Sequence, residues 1–251
     1  MGIPPEIFKA YDIRGIVGKT LTPAWVESIG RAVAAEARAR ACGEIAIGRD
    51  GRLSGPALSA ALARGIQAGG VDVVDLGMVT TPMAYFAAWH LGGGSAVMLT
   101  GSHNPPEYNG LKIVIAGATL AGEDIQDLRR RIEAEDFSTG AGGYRQHDIA
   151  AEYIARIVAD VKLARPMRVV LDAGNGVAGA YAPALFQALG CAVEARYCEV
   201  DGHFPNHHPD PSVPANLADL SDRLRQGDDE LGLAFDGDGD RLGALAQDGG
   251  I

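Results

Sequence analysis

Ser95-Ala96-Val97-Met98-Leu99-Thr100-Gly101-Ser102-His103-Asn104-Pro105-Pro106 decides how the rest of the chain is read. Its first five residues form a short apolar run that predicts a buried strand, and the run ends in a loop framed by glycine and prolines. Tyr108-Asn109-Gly110 reads as a turn, and Leu111 to Ile115 as a second strand. A serine, a histidine and an asparagine therefore sit in a stiff loop at the exit of a strand. In open α/β sheets, ligands bind beyond the carboxyl ends of strands. Far downstream, Asp236-Gly237-Asp238-Gly239-Asp240-Arg241 is placed the same way after the apolar run Leu231 to Phe235.

Working outward, strand and helix signals alternate. Thr22-Pro23 opens an Ala-rich helix to Arg40, with Gly43 as its stop. Glu44 to Gly48 is a strand, Ser54 caps a helix from Pro56 to Ala68, and Val71 to Leu76 is a strand. A helix follows from Thr80 or Thr81 through Trp89, and another from Gly122-Glu123-Asp124 to Ala134. Ser138 to Gly143, rich in glycine, is the expected linker. Beyond it come a helix over Asp148 to Val161, a strand over Met167 to Leu171, a helix over Val177 to Leu189 and a strand over Ala192 to Tyr197. A helix over Pro214 to Gln226 and strands over Leu231 to Phe235 and Arg241 to Ala246 complete the series, before a hairpin turn at Asp248-Gly249-Gly250. The alternation predicts an α/β protein with mostly parallel, mixed sheets and helices on both faces, in two consecutive three-layer α/β/α domains. The expected domains are 1–140 and 148–251. A hairpin turn with no returning strand before Ile251 reads as the front portion of a longer protein.

Composition narrows the classes. Of 251 residues, 47% are hydrophobic and 22% charged, which is ordinary for a globular chain with a sizeable core. The net charge of −10, with no basic stripe and no polybasic helix, argues against nucleic-acid and membrane-surface partners. An anionic substrate would need local arginine and lysine. Three cysteines without paired spacing support neither a disulfide framework nor a zinc site. The first residues lack the charged and apolar regions of a signal peptide, and no apolar run is long enough to span a membrane. The expected location is cytoplasmic.

Three carboxylates alternating with glycine, Asp236, Asp238 and Asp240, can turn toward one hard cation, which oxygen ligands suit. The competing reading is a solvated acidic turn. An EF-hand does not fit, because Arg241 and Gln247 stand where its glycine and glutamate belong. An arginine beside such a cluster is best explained by an anion, and phosphate with magnesium satisfies both. Ser102 does not sit in a hydrolase elbow, because residue 100 is Thr and residue 104 is Asn. Adjacent His103 is poorly placed to take its proton. A serine that carries phosphate remains, beside the simpler reading of a turn serine bonding its own backbone. Gly174-Asn175-Gly176-Val177-Ala178-Gly179 matches a dinucleotide fingerprint, with Glu194 near the place of a ribose-binding acid, yet a tight strand-to-helix turn produces the same pattern. Arg14, within Phe8-Lys9-Ala10-Tyr11-Asp12-Ile13-Arg14-Gly15, could clamp phosphate oxygens. Lys112 stands at the head of a strand past the serine loop, where by itself it reads as a solvated edge charge, and Asn206-His207-His208-Pro209-Asp210 offers a metal reading beside the simpler one of a loop shaped by its histidines.

Phe8 to Gly15, Thr100 to Pro105, Glu199-Val200-Asp201-Gly202 and Asp236 to Arg241 together resemble segments of the α-D-phosphohexomutase family, in that family's order and spacing along essentially the whole chain. The resemblance implies a phosphoglucomutase-like architecture of four domains, of which this chain holds the first two and stops before the third and fourth. It implies that Ser102 is phosphorylated, and that Mg²⁺ is held by Asp236, Asp238, Asp240 and a phosphoserine oxygen of Ser102. It further implies that hexose 1-phosphate and hexose 6-phosphate are interconverted through a bisphosphorylated sugar, with glucose 1,6-bisphosphate as activator or intermediate. Catalytic roles fall to Ser102, His103, Lys112, Arg14 and Arg241, and substrate binding to Tyr11 and Arg14. The implied partners are hexose phosphates, and the implied state is a monomer. By itself such a fragment is expected to show little turnover, because the sugar-reading loop and the distal-phosphate clamp belong to the missing domains. Lys9-Ala10-Tyr11-Asp12-Ile13 and Tyr108-Asn109-Gly110 favour the mannose/glucose branch over a phosphoglucosamine mutase, which usually reads Phe-Gly-Thr-Asp-Gly and Asp-Asn-Gly there. Two rivals stand outside the family: a nucleotide-binding oxidoreductase domain, and a non-catalytic module that binds metal and sugar phosphate.

Overall fold

The computed structural model describes residues 2–250, so the expected stop at Ile251 lies outside the described residues. The chain divides into two compact units, Met1–Asp148 and Ile149–Ile251, each built on its own sheet.

In the first unit the elements run β1 (Ile13–Ile16), α1 (Pro23–Ala39), β2 (Glu44–Arg49), α2 (Gly55–Ala68), β3 (Asp72–Met78), α3 (Thr81–His90), β4 (Ala96–Leu99), β5 (Tyr108–Ile115), β6 (Ala118–Thr119), α4 (Glu123–Glu133) and β7 (Tyr144–Gln146). The sheet order is β1-β5-β4-β2-β3-β7, with β6 paired to β5. Strands β4, β2, β3 and β7 are mutually parallel, whereas β5 lies antiparallel to both β4 and β1. One face is covered by α1, α2 and α4, whose Val26, Ile29, Leu58, Leu62, Ile66, Ile125 and Leu128 are buried in one core with Ile45, Ile47, Val97, Leu99 and Leu111. The other face takes α3. There a Cβ on Gly48 would meet Val79 at 2.5 Å and Ala84 at 3.6 Å.

Three local expectations change. Tyr108-Asn109-Gly110 is the start of β5, not a turn, because β1 pairs with it: Arg14 lies opposite Gly110 and Gly15 opposite Asn109. The backbones approach so closely that a Cβ on Gly110 would sit 2.2 Å from the Ile13 carbonyl oxygen. Lys112 consequently falls midway along β5, opposite Met98 of β4, instead of at a strand head. Ser54 holds the N-cap position of α2 without a capping bond from its side chain. Its Oγ accepts from Asn109 Nδ2 at 2.9 Å instead. The glycine-rich stretch expected as a linker is tied into the first unit, with Gly140 and Gly142 donating to the carbonyls of Ala68 and Gln67. It leads into β7, which extends that sheet, and the first compact unit runs to Asp148.

The second unit contains α5 (Ala150–Asp160), β8 (Arg168–Asp172), α6 (Ala182–Ala188), β9 (Ala192–Arg196), α7 (Ala218–Gln226), β10 (Leu231–Phe235) and β11 (Leu242–Ala246). Its order is β11-β10-β8-β9, parallel across β10, β8 and β9 and antiparallel at β11. The two-residue period of the strands sorts the core into two layers. Val170, Ala234 and Leu245 pack with Leu217, Leu220 and Leu224 at α7, while Val169, Leu171 and Leu233 pack with Ala182 and Phe186 of α6. The expected helix over Val177 to Leu189 begins as a 3₁₀ turn, Val177–Ala180, and becomes α-helical only at Ala182. Pro183 explains the break, because it has no N–H to continue the ladder backward. The helix expected from Pro214 likewise starts as 3₁₀, over Pro214–Leu217. Among the described residues no helix is long and apolar enough to cross a membrane.

Candidate functional site

Each unit carries a polar loop at the carboxyl end of its parallel strands. In the first, Ser102 follows β4 and adopts φ +48°, a left-handed conformation uncommon for a serine. The loop around it explains how that conformation is held. Asp50, 1% exposed, follows β2, which is β4's parallel neighbour. Its Oδ2 accepts Thr100 Oγ1 at 2.8 Å and the Gly101 amide at 3.3 Å. Thr100 Oγ1 in turn accepts the Ser102 amide at 2.7 Å. Arg52, equally buried, donates from Nε to Asp50 at 3.2 Å and from its two terminal nitrogens to the carbonyls of Ser102, Asn104, Pro105 and Tyr108 at 2.6 to 3.0 Å. Gly101 allows this arrangement, for a Cβ there would lie 2.4 Å from the centre of the Arg52 guanidinium.

Arg14 reaches the same loop from β1. Its terminal nitrogens donate to the Gly101 carbonyl at 3.1 Å, to Asn104 Oδ1 and to Asp12. Its Nε is buried and has no hydrogen-bond partner among the described residues. His103 Nδ1 lies 3.4 Å from Ser102 Oγ, near but outside good hydrogen-bond range. Tyr11, in the bend before β1, is 79% exposed and so presents its ring to solvent. Lys112 is half-buried on the strand beside β4. Ser102, His103 and Arg14 are thus grouped in the first unit, with Tyr11 and Lys112 on the flanking segments. Asp50 and Arg52 were not foreseen. Their only signal in the sequence is a run of charge, Arg49-Asp50-Gly51-Arg52, directly after a buried strand.

In the second unit the hairpin between β10 and β11 carries Asp236, Asp238 and Asp240. Their carboxylates each place an oxygen within 4.8 Å of the others, with Asp236 and Asp238 buried and Asp240 exposed. Asp236 Oδ1 accepts the amides of Asp240 and Arg241, both at 3.1 Å, and Oδ2 faces Arg241 Nε at 3.2 Å. Arg241 is also 3.9 Å from Asp240. A solvated acidic turn would not bury two of its three carboxylates. Burial and mutual repulsion both disfavour that charge unless a cation balances it. An all-oxygen set of this kind suits a hard divalent ion such as Mg²⁺.

Beneath this hairpin lies the turn that had offered a nucleotide fingerprint. A Cβ on Gly174 would meet His207 at 3.0 Å, one on Gly176 would meet the Gly237 backbone at 3.1 Å, and one on Gly179 the Cys198 carbonyl oxygen at 2.3 Å. The glycines therefore admit protein where a pyrophosphate would have to lie. Glu194 is held by Arg223 at 2.5 to 3.0 Å, which keeps its carboxyl below the usual carboxylate range, and it is not offered to a ribose. His207 does shape the loop as expected, but through a contact not foreseen. Its Nε2 is 3.0 Å from both oxygens of Asp172, a fully buried residue at the end of β8.

Comparison with known proteins agrees with these features. Residues 5–139 match the family model for phosphoglucomutase/phosphomannomutase α/β/α domain I, and residues 151–249 match domain II. The chain is 56% identical over 249 residues to a phosphomannomutase/phosphoglucomutase of Pseudomonas aeruginosa, covering 99% of this chain and 54% of that protein. It is 55% identical over 251 residues to a phosphoglucomutase of Neisseria gonorrhoeae, covering 99% of this chain and 55% of the relative. A crystal structure of a phosphoglucomutase/phosphomannomutase family protein from Burkholderia thailandensis superposes with a TM-score of 0.96 at 54% identity, over 99% of this chain and 56% of that one. The chain thus spans about half the length of the relatives it matches, and it belongs to the phosphoglucomutase/phosphomannomutase family.

Proposed function

We propose that this chain provides the phosphoryl-carrying and metal-binding portions of a phosphohexomutase that interconverts hexose 1-phosphate and hexose 6-phosphate, with mannose or glucose as the sugar. The observation that carries the reading is the state of Ser102: a left-handed serine fixed by bonds to its own amide and carbonyl, beside an arginine whose buried Nε has no hydrogen-bond partner among the described residues. A turn serine with no further task does not need such support, and a buried guanidinium N–H with no such partner suits an anion. Phosphoryl transfer asks mainly for positioning and charge neutralisation, which this loop is built to give.

In the forward half-reaction the bond between phosphorus and Ser102 Oγ breaks as a bond to a sugar hydroxyl oxygen forms, giving a bisphosphorylated sugar. The hydroxyl's proton leaves to a base, for which Lys112 and His103 are the proposed residues, and a proton is passed on to the serine oxygen as its bond to phosphorus breaks. In the second half-reaction the other phosphate of the bisphosphate is handed back to Ser102, and the proton movements reverse. Arg14 and Arg241 would neutralise the equatorial oxygens of the group in flight. Tyr11 would lie against the sugar. Asp236, Asp238 and Asp240 would hold Mg²⁺, which when bound supplies positive charge to the transferring phosphoryl group. Glucose 1,6-bisphosphate would load the serine, and the acidic chain, without a basic patch, fits a cytoplasmic monomer acting on small phosphosugars.

The test is intact and peptide mass spectrometry of the full-length protein before and after incubation with glucose 1,6-bisphosphate and Mg²⁺. Phosphate on Ser102, absent from Ser102→Ala along with turnover, is the expected result. A protein that never carries phosphate on Ser102, or a Ser102→Ala variant with undiminished turnover, would overturn the mechanism.

A further inference from the structure

Two arginines touch the serine loop, and they do different things. Arg14 holds the loop with its terminal nitrogens only, and its Nε has no hydrogen-bond partner among the described residues. Arg52 has no such donor to spare. A guanidinium carries five N–H groups. Those of Arg52 go to Asp50 Oδ2 and to four main-chain carbonyls, of Ser102, Asn104, Pro105 and Tyr108. Such a group can take a phosphoryl oxygen only by releasing one of those carbonyls in a site from which water is excluded.

We infer that Arg52, aligned by Asp50, is a positioning residue of the phosphoserine loop: it fixes the left-handed Ser102 backbone from behind and does not bind the phosphoryl group. The inference rests on the assignment of Ser102 as the phosphoryl carrier. Its physical content is a chain of contacts. The Asp50 carboxylate orients the Arg52 guanidinium, Arg52 gathers carbonyls from both sides of the loop, and Thr100 passes a second bond from Asp50 to the Ser102 amide. Ser102 is thereby held at both its amide and its carbonyl, and its φ of +48° sets the direction of its Cα–Cβ bond. Gly101 completes the device, because any side chain there would displace the guanidinium.

A lysine keeps the charge that Asp50 needs but has three donors on one atom, and it cannot span four carbonyls. Arg52→Lys in the full-length protein should therefore lower kcat about 100-fold, as a misplacement of about 1 Å does, while KM for the hexose phosphate stays unchanged. An arginine that bound the covalently held phosphoryl group would also lower kcat, so a structure of the phosphorylated protein separates the two roles. A kcat equal to wild type would overturn the inference. So would a crystal structure of the phosphorylated wild-type protein with an Arg52 nitrogen in hydrogen-bond reach of the phosphate, a readout that does not depend on the variant folding. Failure of the underlying reading looks different, because then Ser102→Ala itself keeps its activity. A dead Ser102→Ala beside a fully active Arg52→Lys would refute the positioning role alone.

Discussion

The serine loop and the aspartate hairpin stand at equivalent edges of their sheets, but they are held in opposite ways. The hairpin is held mainly by bonds among its own residues. Asp236 accepts the amides of Asp240 and Arg241, Arg241 faces back to Asp236, and β10 runs straight into β11. These bonds lie within six consecutive residues, and one bond from outside joins them, from the Val177 amide to the Gly237 carbonyl at 3.3 Å. The serine loop is held from far away, by Asp50 and Arg52 after β2, by Arg14 on β1 and by the first residues of β5. A local device can be exchanged with little effect outside it. A distributed one ties Ser102 to the integrity of the whole first sheet.

The sharpest way to break this contrast is to remove one arginine from each loop. Arg52→Met leaves Asp50 buried without its countercharge and strands four main-chain carbonyls, so a loss of about 3 to 5 kcal/mol is expected in urea unfolding of the first unit. Arg241 is 41% exposed on its side chain and faces carboxylates at 3.2 and 3.9 Å, a partly solvated contact. Arg241→Met leaves buried Asp236 its two amide donors but removes this partly solvated cation, so it should cost less than Arg52→Met, about 1 to 3 kcal/mol. Equal losses would mean that the two loops are not differently held.

This contrast also explains what could be read from the sequence. Asp236 to Arg241 announces its chemistry because its partners are its neighbours, and the strand before it is a clean apolar run. Ser102 could be singled out from its Gly/Pro frame, as could Arg14 from its short segment. Asp50 and Arg52 could not, because their partners lie about fifty residues on and their own segment resembles an ordinary charged loop before a helix. Likewise β1, at four residues, has no readable period, and Tyr108-Asn109-Gly110 looks like a turn until β1 is seen to require a glycine against the Ile13 carbonyl. The glycines of 174 to 179 mislead for the converse reason. Their pattern is real, yet they make room for Gly237, His207 and Cys198 instead of a cofactor.

The hairpin's independence can be sharpened by its ion. Three carboxylates this close repel, so Mg²⁺ should stabilise the second unit, by about 2.7 kcal/mol at a hundredfold excess over Kd. In Asp238→Asn the repulsion falls and a ligand is lost, so the metal-free protein should melt no lower than wild type while the Mg²⁺-induced rise disappears. Calorimetric scans with Mg²⁺ and with EDTA read both quantities. An undiminished Mg²⁺ response in the variant would place the ion elsewhere.

The smallest expected effect concerns what lies beneath the hairpin. His207 sits between two acceptors, the Asp172 carboxylate at Nε2 and the His208 carbonyl 3.0 Å from Nδ1. Satisfying both takes a proton on each nitrogen, so this setting favours the imidazolium over the neutral ring. The hydrogen bond to Asp172 raises the His207 pKa above its ordinary value, and the effect outweighs the opposing cost of burial. Nearby Cys198 does not confuse the titration, since burial and then Asp172 push its thiol up to about 11. A raised folded-state pKa gives stability that is fully present below about pH 6.5 and is lost as pH climbs through the folded value. The melting temperature of the second unit should accordingly fall as pH is raised above about 6.5. His207→Gln, which can still donate to Asp172 but does not titrate, should remove that slope. Because Gly174 touches His207 and Gly176 touches Gly237, loosening this pair reaches the hairpin through one turn. A pH slope that survives His207→Gln would show that another group of the second unit sets it.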